Sequence, residues 1–484
     1  MSPVGLLRFQ EPQPTKAWND VYNATEKKAS CMQDSSLNSG EWLNRDPKDI
    51  SEDCLYINLW IPTVNEEDKP FSTMVWIHGG GFRSGSSNMD VYDGALLASI
   101  GNVIVASFNY RLGAFGYANF DHEEARGNMG MLDQVMALKW IHQNIEAFGG
   151  DKDTITICGG SVGATSVAHH LLSPLTKGLF KRAILQSGSN YHKFWAVDPE
   201  VNIRKTELIS KELGCNGNEL LNCMRDVNAE DIATTEKNYF EAKQSMFSFL
   251  PQKGSPYLPE DPFVAIDSGK FHEVDVLIGE VSDEGSFFLS MLKPEFIRED
   301  DPKLKKSEAK DLLSKFYETE GESLDRIEQD YLDVSEEDYH SILKNTIMAF
   351  GDGLVTCPII HLAKKLSSGN RNIYHYTFNH TRIKSGTKKW MGVPHSEDVY
   401  FVFGMPFVNE DEYTTEELEF SKSIIDMWTS FAKTGKPSSA NVDEEWKVFD
   451  QEDRNSFSLT LGNIHSVKTE VNEKCKVWMN LQKN

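Results

Sequence analysis

A serine lies where a buried strand would give way to a helix. Residues 154–158 read Thr-Ile-Thr-Ile-Cys, a run typical of a strand, and residues 159–163 read Gly-Gly-Ser-Val-Gly before small helix-forming residues. The pattern G-x-S-x-G is that of a nucleophile elbow, in which glycines relieve the crowding of a strained strand-to-helix turn. Glycine-serine turns are common, so the strand and helix on either side carry much of the signal. We predict that Ser161 is a nucleophile for covalent catalysis.

Three glycines follow an earlier strand. Residues 75–77 read Val-Trp-Ile and lead into His78, Gly79, Gly80 and Gly81. Without Cβ atoms, such a loop can approach a reacting group and point backbone N–H groups at one developing negative charge. A phosphate cradle is the alternative, but the chain contains no Gly-Lys-Ser or Gly-Lys-Thr. A glycine loop of this type, paired with G-x-S-x-G, indicates an oxyanion hole.

A general base must be found among thirteen histidines. His169 and His170 follow Ser161 on the same predicted helix, and at about 1.5 Å per residue they lie roughly 12 Å away, beyond hydrogen-bond reach. They are interpreted as packing or surface residues. His395, in the loop-like segment 390–398, comes late in the chain, as the order serine, acid, histidine requires. We predict that His395 is the base.

The orienting acid is less well defined by position. Residues 276–279 read as a strand that enters Glu-Val-Ser-Asp-Glu-Gly at residues 280–285. Catalytic groups of open α/β sheets lie just beyond the carboxyl ends of strands, which suits this segment. Spacing alone does not decide which residue is the acid, and the candidates are Glu280, Asp283 and Glu284.

Short apolar runs alternate with helical patterns along the chain, which predicts an α/β fold with a largely parallel sheet. Residues 131–145 have apolar side chains at helical spacing, and residues 290–345 read as amphipathic surface helices. No internal repeat or linker interrupts the pattern, so we predict a single domain over residues 1–484. The predicted strands are residues 73–77, 103–108, 154–158, 182–186, 274–279 and 373–378.

Composition disfavours several classes of protein. The formal net charge of −24 argues against nucleic-acid binding, and the absence of eighteen consecutive apolar residues argues against a membrane span. The seven cysteines form no C-x-x-C pair and no Cys/His cluster has zinc spacing, so we expect neither a metal nor a cofactor. Sequons at Asn23 and Asn379 fit a secretory route, although the first residues lack the features of a signal peptide.

Together these residues resemble the type-B carboxylesterase/cholinesterase family over nearly the whole chain. The resemblance implies an α/β-hydrolase fold and the hydrolysis of small-molecule carboxylic esters. In the family's pattern the acid is the glutamate of Asp-Glu-Gly, hence Glu284, and the oxyanion donors are the backbone N–H groups of Gly80, Gly81 and Val162. The family's landmarks appear at residues 5–9, 51–58, 78–81, 150–166, 185–189, 283–288 and 392–404.

The resemblance also implies a secreted glycoprotein with glycans at Asn23 and Asn379 and with Cys158 as a free thiol. The family normally begins with a signal peptide and opening strands, so we expect this chain to be an N-terminally truncated piece. The sequence does not indicate an oligomeric state. The implied disulfides are Cys31–Cys54, Cys215–Cys223 and Cys357–Cys475.

The residues expected to bind substrate give a mixed picture. Gly160 stands where cholinesterases have a glutamate, Arg83 where acetylcholinesterases commonly have a tyrosine, and Ser245 where they have a second acyl-pocket ring. We therefore predict a broad-specificity carboxylesterase. The first alternative is an acetylcholinesterase. The second, a non-catalytic adhesion relative, is less favoured because every triad candidate is present. The aromatic candidates for substrate binding are Trp42, Phe247, Phe287 and Phe288.

Overall fold

The computed structural model describes residues 1–34, 49–63, 70–242, 247–469 and 474–481. The chain divides into two units. The single domain expected over residues 1–484 stays a prediction. The first unit is made of Met1–Ile184, Lys193–Val274 and Ala432–Thr434, and the second of Leu185–His192, Asp275–Phe431 and Gly435–Asn484.

Four strands of the first unit form a sheet. Phe71–Ile77 pairs in parallel with Gly150–Gly160 on one side and with Ile104–Phe108 on the other, and Ile57–Trp60 pairs antiparallel with Ile104–Phe108. Every residue of Ile104–Phe108 is buried, as expected of a parallel strand covered on both faces. Because Phe71–Ile77 and Gly150–Gly160 run in the same direction, the glycine loop and Ser161 follow them at the same edge of the sheet.

Helices and short strands complete the first unit. The short strands are Ser30–Cys31, Ile50–Ser51, Asn119–His122 and Ala125–Arg126. The α-helices are Ala95–Gly101, Gly113–Tyr117, Met129–Asn144, Val162–His170, Pro199–Glu212, Leu220–Asp226, Ala229–Ala242 and Pro262–Asp267. The strand Arg182–Gln186 and the helix Thr415–Thr434 have residues in both units.

The second unit has its own run of paired strands. Asp275–Val281 pairs in parallel with Ile373–Phe378, which pairs in parallel with Asn455–Thr460, and Asn463–Lys468 is antiparallel to that last strand. The helix Gly285–Leu292 begins shortly after the first of these strands ends. The other helices are Lys306–Tyr317, Glu322–Tyr331, Tyr339–Gly351, the π-helical Asp352–Thr356, Cys357–Leu366, Glu397–Val402, Met405–Val408 and Cys475–Leu481.

One helical run of the second unit, Tyr339–Leu366, is long and apolar enough to cross a membrane by length and composition alone. Within it, 83% of the most apolar 18-residue window is buried inside the structure. A helix that buries its apolar side chains in this way is typical of a protein core. We interpret the run as a core helix.

The predicted α/β class with a largely parallel sheet is confirmed, and each of the six predicted strands is present. Several strand boundaries differ, and one difference concerns an acid candidate: Glu280, placed beyond the end of its strand from the sequence, lies inside the strand Asp275–Val281 and pairs with Thr377. The strands that the sequence did not predict include Asn455–Thr460 and Asn463–Lys468, each of which has only two apolar residues among six. Such half-polar strands lack the continuous apolar run that identified the buried ones.

The structure forms all three disulfides that the family resemblance implies, Cys31–Cys54, Cys215–Cys223 and Cys357–Cys475. Cys158 is a free, buried cysteine, and burial raises the pKa of its thiol. The bridge of greatest sequence separation, 118 residues, restricts the unfolded chain most, by about 4–5 kcal/mol in the chain-entropy account.

Candidate active site

Ser161 lies in a strained turn between the strand Gly150–Gly160 and the helix Val162–His170. Its φ of 58° and ψ of −129° are rare for a residue with a side chain. The two flanking glycines are required by close approach: a Cβ on Gly159 would lie 2.4 Å from the carbonyl carbon of Gly163, and one on Gly163 would lie 2.1 Å from the carbonyl oxygen of Ile77. These are the features of a nucleophile elbow.

The glycine loop packs directly on this elbow. A Cβ on Gly79 would lie 2.8 Å from the carbonyl oxygen of Gly160 and 3.0 Å from the Cβ of Ser161. Gly80 and Gly81 have φ values of 116° and 66°, a region that favours glycine. Among the described residues, neither N–H group of Gly80 and Gly81 donates a hydrogen bond. Two free backbone donors beside a strained serine can hold a developing oxyanion.

The helix that follows Ser161 adds a third donor. Val162 is its first residue and is buried, and the first N–H groups of an α-helix have no partner within the helix. The positive end of the helix dipole points the same way. The donor is a backbone N–H group, so it is present at position 162 whatever the side chain is.

His395 and Glu284 form a buried pair in the second unit. Nδ1 of His395 donates a hydrogen bond to Oε2 of Glu284, whose Oε1 accepts the N–H of Val281 at 3.0 Å. The two residues are 5% and 1% exposed, so the pair is shielded from water. With the proton on Nδ1, Nε2 carries a lone pair, and it has no hydrogen-bond partner among the described residues. A histidine in this state can accept a proton.

The two other acid candidates have different partners. Oδ2 of Asp283 accepts the N–H of Val393 at 3.0 Å, and Asp283 donates its own N–H to the carbonyl of Val393 at 3.1 Å. Glu280 accepts hydrogen bonds from His375 Nε2 at 3.1 Å and Thr377 Oγ1 at 3.0 Å. Of the three carboxylates left open by spacing, Glu284 is the one hydrogen-bonded to His395.

Asp398 is a buried carboxylate that the sequence analysis missed. Its Oδ2 accepts hydrogen bonds from Gln186 Nε2 at 3.0 Å and from the hydroxyl of Tyr376 at 2.8 Å. Burial raises the pKa of Asp398 to about 6, and the charge of Glu284 acts in the same direction. The only signal in the sequence was an acidic residue shortly after His395, which is too common to interpret.

We expect Asp398→Asn to gain stability relative to the wild type as the pH rises. The pKa of Asp398 is about 6 in the folded state and 3.8 ordinarily, so the folded state favours the protonated carboxyl group. The stabilising contribution of the proton is complete below the lower value and is lost as the pH rises through the upper one. Asparagine remains neutral throughout. Urea unfolding should therefore show the variant gaining about 2 kcal/mol on the wild type between roughly pH 4.5 and pH 7.5, and no gain would contradict the buried carboxylate.

Three of the four aromatic candidates for substrate binding lie among the described residues. Phe287 and Phe288 each have a ring centroid 5.3 Å from that of His395. Phe247 packs edge-on against Trp195 at 4.9 Å and would lie 3.9 Å from a Cβ on Gly81. Trp42 and Ser245 lie outside the described residues. Binding of substrate by these aromatic side chains stays a prediction.

A crevice next to the glycine loop is lined by the charged side chains of Arg83, Asp34 and Glu236. Burial lowers the pKa of Arg83, and the nearby carboxylates of Glu236, Glu241 and Asp34 oppose that shift. Glu236 is buried and accepts hydrogen bonds from the N–H of Ala114 at 2.8 Å and from the hydroxyl of Ser248. Its burial raises the pKa of Glu236. Nothing in the sequence pointed to Glu236, because one partner, Ala114, lies 122 positions away and a serine 12 positions away is too common to interpret.

His169 and His170 are packing residues, as the sequence indicated. Nε2 of His169 is 2.9 Å from the carbonyl oxygen of Trp195, and Nε2 of His170 is 2.9 Å from Oε1 of Gln134. Burial lowers the pKa of His169 to about 4 and that of His170 to about 3. In the part of the chain that the structure describes, no group of three or more histidines, cysteines or carboxylates could hold a metal ion.

Comparisons with known proteins agree on one family. The sequence matches the carboxylesterase family over residues 1–478. It is 36% identical to an acetylcholinesterase of Bungarus fasciatus over 459 residues, which cover 92% of this chain and 75% of that protein. It is also 36% identical to a cholinesterase of Mus musculus over 497 residues, which cover 98% of this chain and 81% of that protein.

Proposed function

The chain belongs to the carboxylesterase family, and on that premise we propose that Ser161, His395 and Glu284 form the catalytic triad of a broad-specificity carboxylesterase. Membership makes the protein a serine carboxylic ester hydrolase of the cholinesterase/carboxylesterase kind with the α/β-hydrolase fold, which confirms the predicted family, fold class and enzyme class. The observation that carries the triad is the hydrogen bond from His395 Nδ1 to Glu284, which leaves Nε2 without a partner among the described residues.

In the proposed acylation, Nε2 of His395 takes the proton of Ser161 as the serine oxygen attacks the ester carbonyl carbon. The carbonyl oxygen becomes an oxyanion held by the N–H groups of Gly80, Gly81 and Val162. Glu284 keeps the imidazole in the tautomer that accepts this proton and stabilises the imidazolium that forms. The imidazolium then protonates the leaving alcohol, and an acyl-enzyme remains.

Deacylation repeats these steps with water as the nucleophile. His395 removes a proton from water, which attacks the acyl carbonyl, and the same three N–H groups hold the second oxyanion. Return of the proton to Ser161 releases the carboxylic acid. The base must be neutral in both halves, so activity should fall at acid pH as the imidazole is protonated.

The proposed preference for neutral esters rests on two positions. Gly160 provides no carboxylate beside Ser161, and Arg83 places a positive charge close to the glycine loop. The missing carboxylate removes an attraction for a quaternary ammonium, and the positive charge of Arg83, partly offset by the carboxylates of Glu236, Glu241 and Asp34, repels one. The second candidate, hydrolysis of choline esters, is favoured by the names of the two relatives and by the net charge of −24, which attracts cations at long range.

A panel of acetylthiocholine, butyrylthiocholine and neutral aryl esters decides between these candidates. We expect neutral aryl or alkyl esters to be hydrolysed at least as well as acetylthiocholine. The panel should be run at low and high salt, because salt screens the attraction between charges that are more than about 8 Å apart at physiological ionic strength. A strong preference for acetylthiocholine that persists at high salt would replace the carboxylesterase proposal with acetylcholinesterase.

Gly160→Glu should raise kcat/KM for acetylthiocholine by about ten- to a hundredfold, with neutral esters little changed. A carboxylate about 5 Å from the choline cation is worth on the order of 3 kcal/mol at an effective dielectric of about 20, before desolvation is subtracted. Gly160→Gln is the matched control, because it adds the same volume without the charge. Equal effects of the two variants would show that charge at this position does not set the preference.

We also propose that the protein is extracellular. The chain has three disulfides among its described residues. Disulfides persist in oxidising compartments and are uncommon in the cytosol. Fractionation of the native source, with reduced and non-reduced peptide maps of each fraction, tests this placement.

A further inference from the structure

The first sequon lies in an exposed segment. Asn23 is exposed, and its Oδ1 accepts hydrogen bonds from the N–H of Thr25 at 3.2 Å and from the Thr25 hydroxyl at 2.8 Å. Among the described residues, Nδ2 of Asn23 donates no hydrogen bond. This nitrogen is the atom that N-glycosylation modifies, so the acceptor is free and has open space around it.

The second sequon is built into the fold. Asn379 directly follows the strand Ile373–Phe378 and is half-buried. Its Nδ2 donates to the carbonyl oxygen of Thr377 at 3.3 Å and to the hydroxyl of Ser458 at 3.0 Å, while its backbone N–H donates to Leu459 at 2.9 Å. The side-chain amide has two hydrogens, and both are used. A sugar on Nδ2 replaces one hydrogen and therefore removes one of these bonds.

The other two residues of this sequon also hold the structure together. Nε2 of His380 is 2.9 Å from Oε1 of Glu417, near the start of the helix Thr415–Thr434. The hydroxyl of Thr381 donates to the carbonyl oxygen of Gly392 at 2.7 Å, in the loop that leads to His395. The sequon thus ties the end of a strand to a neighbouring helix and to the loop of the proposed base.

We propose that Asn23 carries an N-linked glycan and that Asn379 in the folded protein does not. In the transfer, Nδ2 bonds to the anomeric carbon of a lipid-pyrophosphate-linked oligosaccharide, the nitrogen loses a proton, and the lipid pyrophosphate leaves. Both sequons have threonine at the third position, so their different fates follow from the fold. A chain modified at Asn379 loses a hydrogen bond to Thr377 or Ser458 at the end of the strand, and it is depleted from the folded, secreted fraction.

Peptide mapping of the secreted full chain tests the proposal. The chain is expressed in insect cells behind a supplied signal sequence, and the secreted fraction is treated with peptide N-glycosidase F in heavy-oxygen water, which converts a glycosylated asparagine into labelled aspartate. We expect label at Asn23 in most molecules and unmodified Asn379. Label at Asn379 in a substantial share of the secreted protein, or its absence at Asn23, would overturn the proposal.

Variants add a second readout that does not depend on the esterase proposal. Asn23→Gln should abolish the change in gel mobility caused by the glycosidase, with esterase activity retained. Thr25→Ala should do the same, because it removes the sequon and keeps the asparagine. Thr381→Ala should leave the glycan pattern of any secreted protein unchanged. A mobility change that persists in Asn23→Gln would place the glycan elsewhere and contradict the assignment.

Discussion

Ser161→Ala is expected to lower kcat by about 10⁴- to 10⁶-fold, the largest effect of any substitution considered for this protein. Alanine removes the oxygen that forms the acyl-enzyme, and only the oxyanion donors and substrate binding remain to accelerate the reaction. Alanine and serine both carry a Cβ, so the substitution leaves the backbone strain at φ of 58° unchanged and adds no atom, and the variant should fold. Steady-state kinetics with a neutral aryl ester, together with circular dichroism, measure both quantities.

The matched test of this prediction uses His395→Ala and the double variant. Residues that act as one unit show strongly non-additive losses, so the double variant should be little slower than either single variant. Independent, multiplying losses would indicate that Ser161 and His395 do not share a step. Near-wild-type activity of Ser161→Ala would remove the proposed nucleophile.

Glu284→Gln is expected to lower kcat by about 10³- to 10⁴-fold. The amide can present its NH₂ group to Nδ1 of His395, which favours the tautomer with the proton on Nε2, and that imidazole cannot accept the serine proton. The charge that stabilises the imidazolium is also lost. The shape of the side chain changes little, so the loss should appear in kcat with little change in KM.

Two neighbouring carboxylates provide the controls for Glu284. Asp283→Asn keeps an oxygen for the N–H of Val393, and Glu280→Gln keeps one for Thr377, so both variants should stay within about threefold of wild type. If either control loses activity by orders of magnitude while Glu284→Gln remains active, the acid has been assigned to the wrong residue.

The parts of the site that sequence reasoning located are those encoded by local geometry. Gly159 and Gly163 are glycines because backbone atoms approach within 2.5 Å of where a Cβ would be, and Gly80 because of its positive φ and equally close contacts. Such constraints leave a readable pattern around Ser161. The long parallel strands were located for a similar reason, since burial on both faces demands a continuous apolar run.

The parts that were missed depend on contacts between distant residues. Asp398 meets Gln186 across 212 positions, and Glu236 meets Ala114 across 122. Neither pairing leaves a local pattern. Position alone also could not rank Glu280, Asp283 and Glu284, because the choice depends on which carboxylate accepts the hydrogen bond from Nδ1 of His395. The family resemblance supplied what the spacing did not.

The central proposal, that Ser161 is the nucleophile and His395 its base, is tested most directly by covalent titration with a fluorophosphonate. We expect wild-type protein to take up one equivalent, with mass spectrometry placing the adduct on the peptide that contains Ser161. The labelling rate should fall at acid pH, because the base must be neutral to accept the serine proton. Ser161→Ala should take up none, and His395→Ala should react orders of magnitude more slowly. Stoichiometric labelling of Ser161→Ala, or an adduct on any other residue of the wild type, would contradict the account.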